Sequence, residues 1–319
     1  MKLNDILKDS VTVAIIGHVR PDGDCVSSCM ALYNYLIENC KEIKPDVYLE
    51  DFIEPLSFMK NTKMIKSNAE KAVTYDVCIA LDAADQDRLG AGAEYFASAK
   101  KTICIDHHIS NRGFADINYI KPAVSSTSEV LYSLLDADKI SNSVAECLYT
   151  GMVHDTGVFK FSNVTGDTLR IAGSLIDKGI DFSTIIDQTY YEKSYHQNQI
   201  LGRALLESIR FLDGKCIVSV VKTQMMEFYG VEPKDLDGIV ENLRNTQGIE
   251  CAIFLYETGV QQFKVSLRSK SIVDVSKIAS FYGGGGHIRA AGCTMVGTVY
   301  DVINNLSKKI EQQLMSHGE

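Results

Sequence analysis

Three continuous apolar runs in this chain each end in residue types that bind divalent cations. Residues 11–17 (VTVAIIG) lead into His18-Val19-Arg20-Pro21-Asp22-Gly23-Asp24, residues 75–81 (YDVCIAL) into Asp82, and residues 102–105 (TICI) into Asp106-His107-His108. Uninterrupted β-branched runs are the pattern of parallel strands buried on both faces. Between them, residues 24–39 and 90–99 read as helices and 46–49 as a short strand. This alternation predicts an α/β fold with a mostly parallel, doubly wound sheet. In such open sheets ligands bind outside the carboxyl ends of the strands. The pattern therefore brings three sets of acidic and imidazole side chains to one edge.

Each piece alone has a plainer explanation. Asp-Gly-Asp is most often a turn, an Asp after a strand is usually a helix N-cap, and a His-His pair is commonly a surface feature. Together they are harder to dismiss, because carboxylates held close at low dielectric repel strongly unless a cation lies among them. A fourth piece, His154-Asp155-Thr156-Gly157, follows an apolar helical run. Asp22, Asp24, Asp82 and Asp155 carry four negative charges, which two divalent cations would balance. With the imidazoles of His18 and His107, the set suits Mn²⁺ better than an all-oxygen Mg²⁺ site. Two cations about 3.5–4 Å apart can activate water and clamp a phosphoryl group.

The second half is organised differently. Ser126 and Glu129 have capping-box spacing, and helices are expected over 143–152, 168–178 and 193–207. From residue 209 hairpin signals appear. Residues 210–212 and 216–221 flank Asp213-Gly214, and 251–256 and 261–268 flank Glu257-Thr258-Gly259. Helices over 233–244, 273–281 and 299–315 complete a smaller α+β, mixed-sheet domain. The expected division is a metal-bearing domain over 1–190, a polar helical linker over 191–208 and a second domain over 209–319, with a cleft between the domains as the place of work. Four successive glycines, 283–286, can bring backbone N–H groups close to a phosphate as nests and helix N-termini do, or can form a flexible loop. His287 and Arg289 just after them favour the phosphate reading. Arg268 ends a predicted strand, and its planar fork suits a phosphate; a solvated strand-end charge is the alternative.

Composition narrows the function classes. The chain has 319 residues, enough for about two domains. It holds 32 Lys and Arg against 41 Asp and Glu, a formal charge of −9. That balance argues against a protein coating long nucleic acid, which needs a basic surface to displace counterions. No run approaches the ~20 apolar residues of a membrane helix, and residues 1–9 carry no apolar signal-peptide core. Nine cysteines, an odd number without a CxxC pair, fit a reducing cytoplasm. Cys25 and Cys29 lack the partners of a zinc-type thiolate site.

The residues at the strand ends resemble a known family. His18…Pro21-Asp22-Gly23-Asp24, Asp82, Asp106-His107-His108 and Asp155-Thr156-Gly157 look like the four motifs of the DHH phosphoesterases. Phe114-Ala115-Asp116 and the segment Ser125-Ser126-Thr127-Ser128-Glu129 also fit. The glycine run, His287 and Ala290-Ala291-Gly292 resemble the DHH-associated C-terminal domain. The order matches over nearly the whole chain, and the subgroup it most resembles is the stand-alone nanoRNases with 3′-phosphoadenosine-5′-phosphate (PAP) phosphatase activity. Ser27 departs from the family, where Gly is frequent at the start of the first helix; only local repacking is expected.

The resemblance implies that His18, Asp22 and Asp82 hold one Mn²⁺ and that Asp24, Asp82, His107 and Asp155 hold a second, with Asp82 bridging. Mg²⁺ or Co²⁺ are alternatives. It gives Asp106 the task of orienting a ligand histidine and His108 that of contacting the scissile phosphate or assisting the leaving oxygen. Arg268, Ser266, Gly284, Gly285, Gly286, His287 and Arg289 would grip the substrate end. The implied enzyme is a cytoplasmic two-metal phosphodiesterase that cuts very short oligoribonucleotides to nucleoside monophosphates and dephosphorylates 3′,5′-bisphosphate nucleotides. Its partners would be short RNAs and small phosphonucleotides, not long nucleic acid or membrane, and a homodimer is common in the family. Phosphodiesterase action on linear dinucleotides (pApA or pGpG) or cyclic di-AMP is the alternative. Less favoured are an inorganic pyrophosphatase, a non-catalytic nucleotide-binding module and a processive RecJ-like exonuclease.

Overall fold

A computed structural model describes residues 3–68 and 73–316. It divides into two compact units, Met1–Glu192 and Lys193–Glu319. The first unit is built on six strands: β1 (Thr12–Ile16), β2 (Lys44–Tyr48), β3 (Ile65–Lys66), β4 (Val77–Leu81), β5 (Thr102–Asp106) and β6 (Ile117–Ile120). All neighbours pair in parallel, in the order β3-β2-β1-β4-β5-β6. The apolar runs at 11–17, 75–81 and 102–105 form the three adjacent central strands. Short β3 and β6 are not apparent in the sequence, because neither is a continuous apolar run.

Alternate strand residues feed two separate cores, so the sheet is buried on both faces. Val13, Ile15, Ile79, Leu81, Ile103 and Ile105 pack on one side against the helices Gly23–Asn39, Thr127–Leu134 and Asn142–Thr156. Ala14, Ile16, Cys78 and Ala80 pack on the other against Tyr95 and Phe96 of the helix Ala93–Ser98. The strand order reverses direction between β1 and β4. This is the topological switch point, where open α/β sheets leave a crevice beyond the strand ends.

The second unit holds β7 (Ile209–Phe211), β8 (Cys216–Val221), β9 (Cys251–Gly259), β10 (Gln262–Ser269), β11 (Gly285–His287) and β12 (Ala290–Val296). Their order is β11-β12-β10-β9-β8-β7, antiparallel except for the parallel pair β8 and β9. The helices Val275–Phe281 and Val299–Met315 cover one face. Tyr195–Leu206 and Ile239–Arg244 cover part of the other.

Three local expectations change. The helix read as a polar linker, Tyr195–Leu206, buries Ile200 and Ala204 in the core of the second unit. Two inward residues are enough to dock it there. The expected helix over 233–244 is a 3₁₀ turn, Pro233–Leu236, and a separate helix, Ile239–Arg244, because Gly238 adopts φ +86 between them. The hairpin turn placed at Glu257-Thr258-Gly259 lies later, at Val260-Gln261: the strand continues through Gly259, and Gln261 takes the left-handed conformation. No helix among the described residues is long and apolar enough to cross a membrane.

Candidate metal centre

Asp82 is the middle of the cluster. It follows β4 directly, is buried and has φ +59, a left-handed conformation that Asp tolerates better than most residues. One carboxylate oxygen, Oδ2, lies 3.6 Å from His18 Nε2. The other, Oδ1, lies 3.7 Å from His107 Nε2 and 3.8 Å from His108 Nδ1. Thus residues after β1, β4 and β5 meet at the switch point.

Each imidazole is oriented by its second nitrogen. His18 Nδ1–H donates to Val19 O at 2.9 Å, which leaves Nε2 facing Asp22 Oδ1 at 3.7 Å and Asp82. His107 Nδ1–H points to Val124 O at 3.4 Å, and its Nε2 lies 2.9 Å from Asp155 Oδ2. Fixing one nitrogen on a carbonyl presents the other as a donor to a cation. Asp22 caps the helix Gly23–Asn39 by accepting from the N–H groups of Asp24 and Cys25. Asp155 sits near the end of Asn142–Thr156, where Gly157 (φ +55) turns the chain away.

Asp106, expected to orient a ligand histidine, bonds His108 and neither His18 nor His107. Its Oδ1 lies 2.7 Å from His108 Nδ1, while Oδ2 accepts from Asn111 Nδ2 at 2.7 Å. His107, expected as a metal ligand, is held by a main-chain carbonyl instead. A residue two positions along can swing back onto the strand-end carboxylate, whereas the adjacent one points to the opposite side.

Electrostatics reflect the crowding. Burial above all, with the charges of Asp82 and Asp155, holds the Asp24 carboxyl well above the ordinary carboxylate range. Burial, helped by Asp22 and Asp155, pushes Asp82 up to about 6. Burial opposes the charged form of His107, yet contact with Asp155 and the field of Asp24 and Asp82 push it up to about 10. His18 is raised in the same way: burial opposes its charge, and Asp22 and Asp82 outweigh it. Without metal, protons on imidazoles supply the positive charge that these carboxylates need.

The donor set fits divalent cations. Asp24, His107 and Asp155 each place a ligand atom within 4.8 Å of the others, as do Asp82, His107 and His108. His18, Cys25 and Asp82 form a third such group, but burial raises the Cys25 thiol well above its ordinary value and Sγ accepts from His18 N–H. A protonated, hydrogen-bonded thiol is a poor ligand.

In the second unit, β10 alternates cleanly. Phe263, Val265, Leu267 and Ser269 are buried, and Ser266 and Arg268 share the opposite face. Register places Ser266 opposite Gly292, Arg268 opposite Ala290, and Gly285 and His287 of β11 opposite those same two residues. The residues between them, Gly292, Ala290 and Gly285, are small, so Ser266, Arg268 and His287 are the side chains that this stretch of sheet offers.

The glycine run is not a helix N-terminus. Gly283 (φ +74) ends the helix Val275–Phe281, and the run continues into edge strand β11. A Cβ on Gly284 would stand 2.2 Å from Gly292 O, and one on Gly286 2.5 Å from Ala290 O, so these two are needed for close packing on β12. Gly285 faces open space. Arg268 Nε donates to Glu241 Oε1 at 2.6 Å. Arg289, expected at the substrate, spends its guanidinium on the carbonyls of Val273 and Ser271. From the turn between β11 and β12 it reaches the loop after β10 and supplies donors to that loop's carbonyls.

Several contributors were not singled out from sequence. Asn111 ties Asp106 to Ala83 O, and Asn163 Nδ2 bridges Ser125 O and Asp155 O. Ser126 caps Thr127–Leu134 as its spacing predicts, but Glu129 turns to Ser125 and Thr168 and leaves the reciprocal half of the box unmade.

Comparison with known proteins agrees with this layout. The model of the DHH family N-terminal domain matches residues 12–152, and that of the DHHA1 domain matches residues 213–316. The chain is 31% identical over 295 residues to the bifunctional oligoribonuclease and PAP phosphatase NrnA of Thermus thermophilus, covering 91% of this chain and 86% of that protein. It is 30% identical over 291 residues to NrnA of Bacillus subtilis, covering 89% of each. The crystal structure of an exopolyphosphatase-related protein from Bacteroides fragilis superposes with a TM-score of 0.87 at 25% identity, over 97% of this chain and 94% of that one. The chain therefore belongs to the DHH family of metal-dependent phosphoesterases and is a hydrolase with a DHHA1 domain.

Proposed function

We propose that this hydrolase takes very short oligoribonucleotides to nucleoside monophosphates and removes the 3′-phosphate of PAP. The observation that carries this reading is the convergence of three imidazoles and the surrounding carboxylates on Asp82 at the switch point. The two NrnA relatives, similar over nearly their whole length, support this substrate class. His18, Asp22 and Asp82 would hold one cation, and Asp24, Asp82, His107 and Asp155 the other, with Mn²⁺ favoured by the mixed donors and Mg²⁺ or Co²⁺ as alternatives. When bound, the cations supply Lewis acidity at the phosphoryl oxygens and an activated water.

His108 has the chemistry of a proton donor. Its hydrogen bond to Asp106 raises its pKa above the ordinary value, and Nδ1–H is fixed on that carboxylate. The imidazolium can therefore deliver a proton from Nε2 to the leaving oxygen. Asp106 stays ionised: burial works to raise it, and the bond to His108 outweighs that. In the second unit, Ser266, Arg268, His287 and the Gly284–286 backbone would bind the substrate end. The acidic balance of the chain argues against a basic track for a long strand, and nine cysteines, none of them in a disulfide, suit the cytoplasm.

A panel with Mn²⁺ tests the reading: RNA from dinucleotides to long oligomers, PAP, pApA, cyclic di-AMP and pyrophosphate. Dinucleotides and PAP should be hydrolysed fastest, with turnover falling as the RNA lengthens. Equal turnover on long and short RNA, or hydrolysis of pyrophosphate alone, would overturn it. Arg268→Ala should raise KM about 10- to 100-fold with little change in kcat, the loss expected for one charge-assisted hydrogen bond. An unaltered KM would reduce Arg268 to a partner of Glu241.

A further inference from the structure

Resting on the ligand set proposed above, we infer that the first turn of the helix Thr127–Leu134 limits Asp24 to one cation-binding oxygen and so selects against Ca²⁺. Asp24 is fully buried, and this turn engages both of its oxygens. Oδ1 accepts from Ser128 N–H at 3.1 Å and from Ser128 Oγ–H at 2.6 Å. Oδ2 accepts from Thr127 N–H at 2.6 Å. An ionised carboxylate has about four lone-pair sites, two on each oxygen. Ser128 therefore fills both sites of Oδ1, and Oδ2 keeps one.

Asp82 is constrained by the same turn. Thr127 Oγ–H donates to Asp82 Oδ1 at 2.8 Å, which leaves Oδ1 one site toward His107 and Oδ2 free toward His18. The arrangement would leave each cation a single oxygen from Asp82. Asp24 cannot swing easily to offer a second oxygen. The opposite helix approaches so closely at Gly151 that a Cβ there would stand 2.0 Å from Ser128 Oγ and 2.5 Å from Asp24 Oδ1.

Denticity bears on which cation binds. Ca²⁺ takes about 6–8 oxygen ligands, often including both oxygens of one carboxylate, whereas smaller cations are satisfied by about six single donors at shorter distances. Imidazoles already disfavour Ca²⁺. Ser128 adds a second barrier by removing the oxygen that a larger ion would recruit.

Ser128→Ala in the full chain tests this. Metal-stripped protein is titrated calorimetrically with Mn²⁺ and, separately, with Ca²⁺. Wild type should bind Mn²⁺ and discriminate strongly against Ca²⁺. Ser128→Ala should lower Mn²⁺ affinity by about 10- to 100-fold, the usual cost of losing a partner of a metal ligand, while Ca²⁺ affinity holds or rises, so that the ratio shrinks at least about tenfold. Thr127→Ser, which keeps the hydroxyl, should retain the wild-type ratio. If the alanine variant does not fold, Ser128→Cys, similar in size but a weak donor, is read in its place. A Ca²⁺-to-Mn²⁺ ratio within twofold of wild type in a folded variant would overturn the denticity reading and leave the ligand set standing. Folded wild-type protein that binds no Mn²⁺ would overturn both.

Discussion

Asp82→Asn should abolish turnover while leaving the fold in place. The substitution suits this position, because Asn tolerates the left-handed backbone at φ +59 as Asp does. It keeps a carbonyl oxygen to accept from Thr127 Oγ–H. What it removes is the charge and one of the two oxygens between His18 and His107. Losing a mere partner of a metal ligand costs about 10- to 100-fold. Losing the shared ligand itself should cost more, on the order of 10³-fold or greater in kcat. Calorimetry should show weakened binding of both cations at once, since one side chain faces both ligand groups. Wild-type activity in the purified variant would refute the bridging role. Loss of one cation with the other unaffected would place Asp82 on one side only.

Stripping the metal should lower the melting temperature, and more so at higher pH. A ligand present at 100 times its Kd stabilises by about 2.7 kcal/mol per site. For a unit of about 190 residues, each kcal/mol shifts Tm by roughly 2–4 °C. Two filled sites should therefore raise Tm on the order of 10 °C or more over chelated protein.

The pH trend follows from the shifted groups. His107 is raised in the folded, metal-free state, so its contribution is complete below its ordinary unfolded value and is lost as pH climbs toward about 10. Asp82 is also raised, and what it contributes when protonated is lost between the ordinary carboxyl range and about 6. Both weaken the metal-free protein as pH rises. The depressed Asp22 and Asp106 act in the opposite sense, but in the acid range, where each loses its contribution as pH falls. Metal must displace the protons on His18 and His107, so affinity grows by up to about tenfold per pH unit for each proton displaced. The Tm gap between loaded and chelated protein should widen from pH 6 to pH 8. A gap that is constant or shrinks would contradict the ligand role of the imidazoles.

Much of this centre was legible in the sequence because its proposed ligands stand at the ends of apolar runs. A run such as VTVAIIG announces a doubly buried strand, and the residue that ends it announces the edge of a parallel sheet. The resemblance to the DHH motifs then supplied the grouping, and Asp24, His107 and Asp155 do lie together. The contacts that orient those ligands were less legible. Asn111 and Asn163 sit in irregular loops where no periodicity marks them, and their partners are main-chain carbonyls that carry no sequence signal. Thr127 and Ser128 lay in a hydroxyl-rich run that reads equally well as an ordinary helix cap. In the second unit, the alternation of β10 was visible, while the fate of the glycine run was not. Four glycines describe permission, and only β12 shows that two of them are there for contact. Arg289 shows the limit of reading charge next to a motif: loop carbonyls can claim a guanidinium before any phosphate does.

The parallel order of the first sheet has a consequence for when this enzyme becomes competent. The proposed ligands come from residues 18 to 155, carried by three strands that pair without hairpins and by a helix that follows them all. Such long-range pairing makes for slow, late-closing assembly. The centre can exist only after Asn142–Thr156 has docked on the helix Gly23–Asn39. A nascent chain ending just ahead of Asp155 would hold all six strands of the first sheet and still lack one proposed ligand. With the proposed ligands, cation binding would stabilise only chains whose first unit has closed.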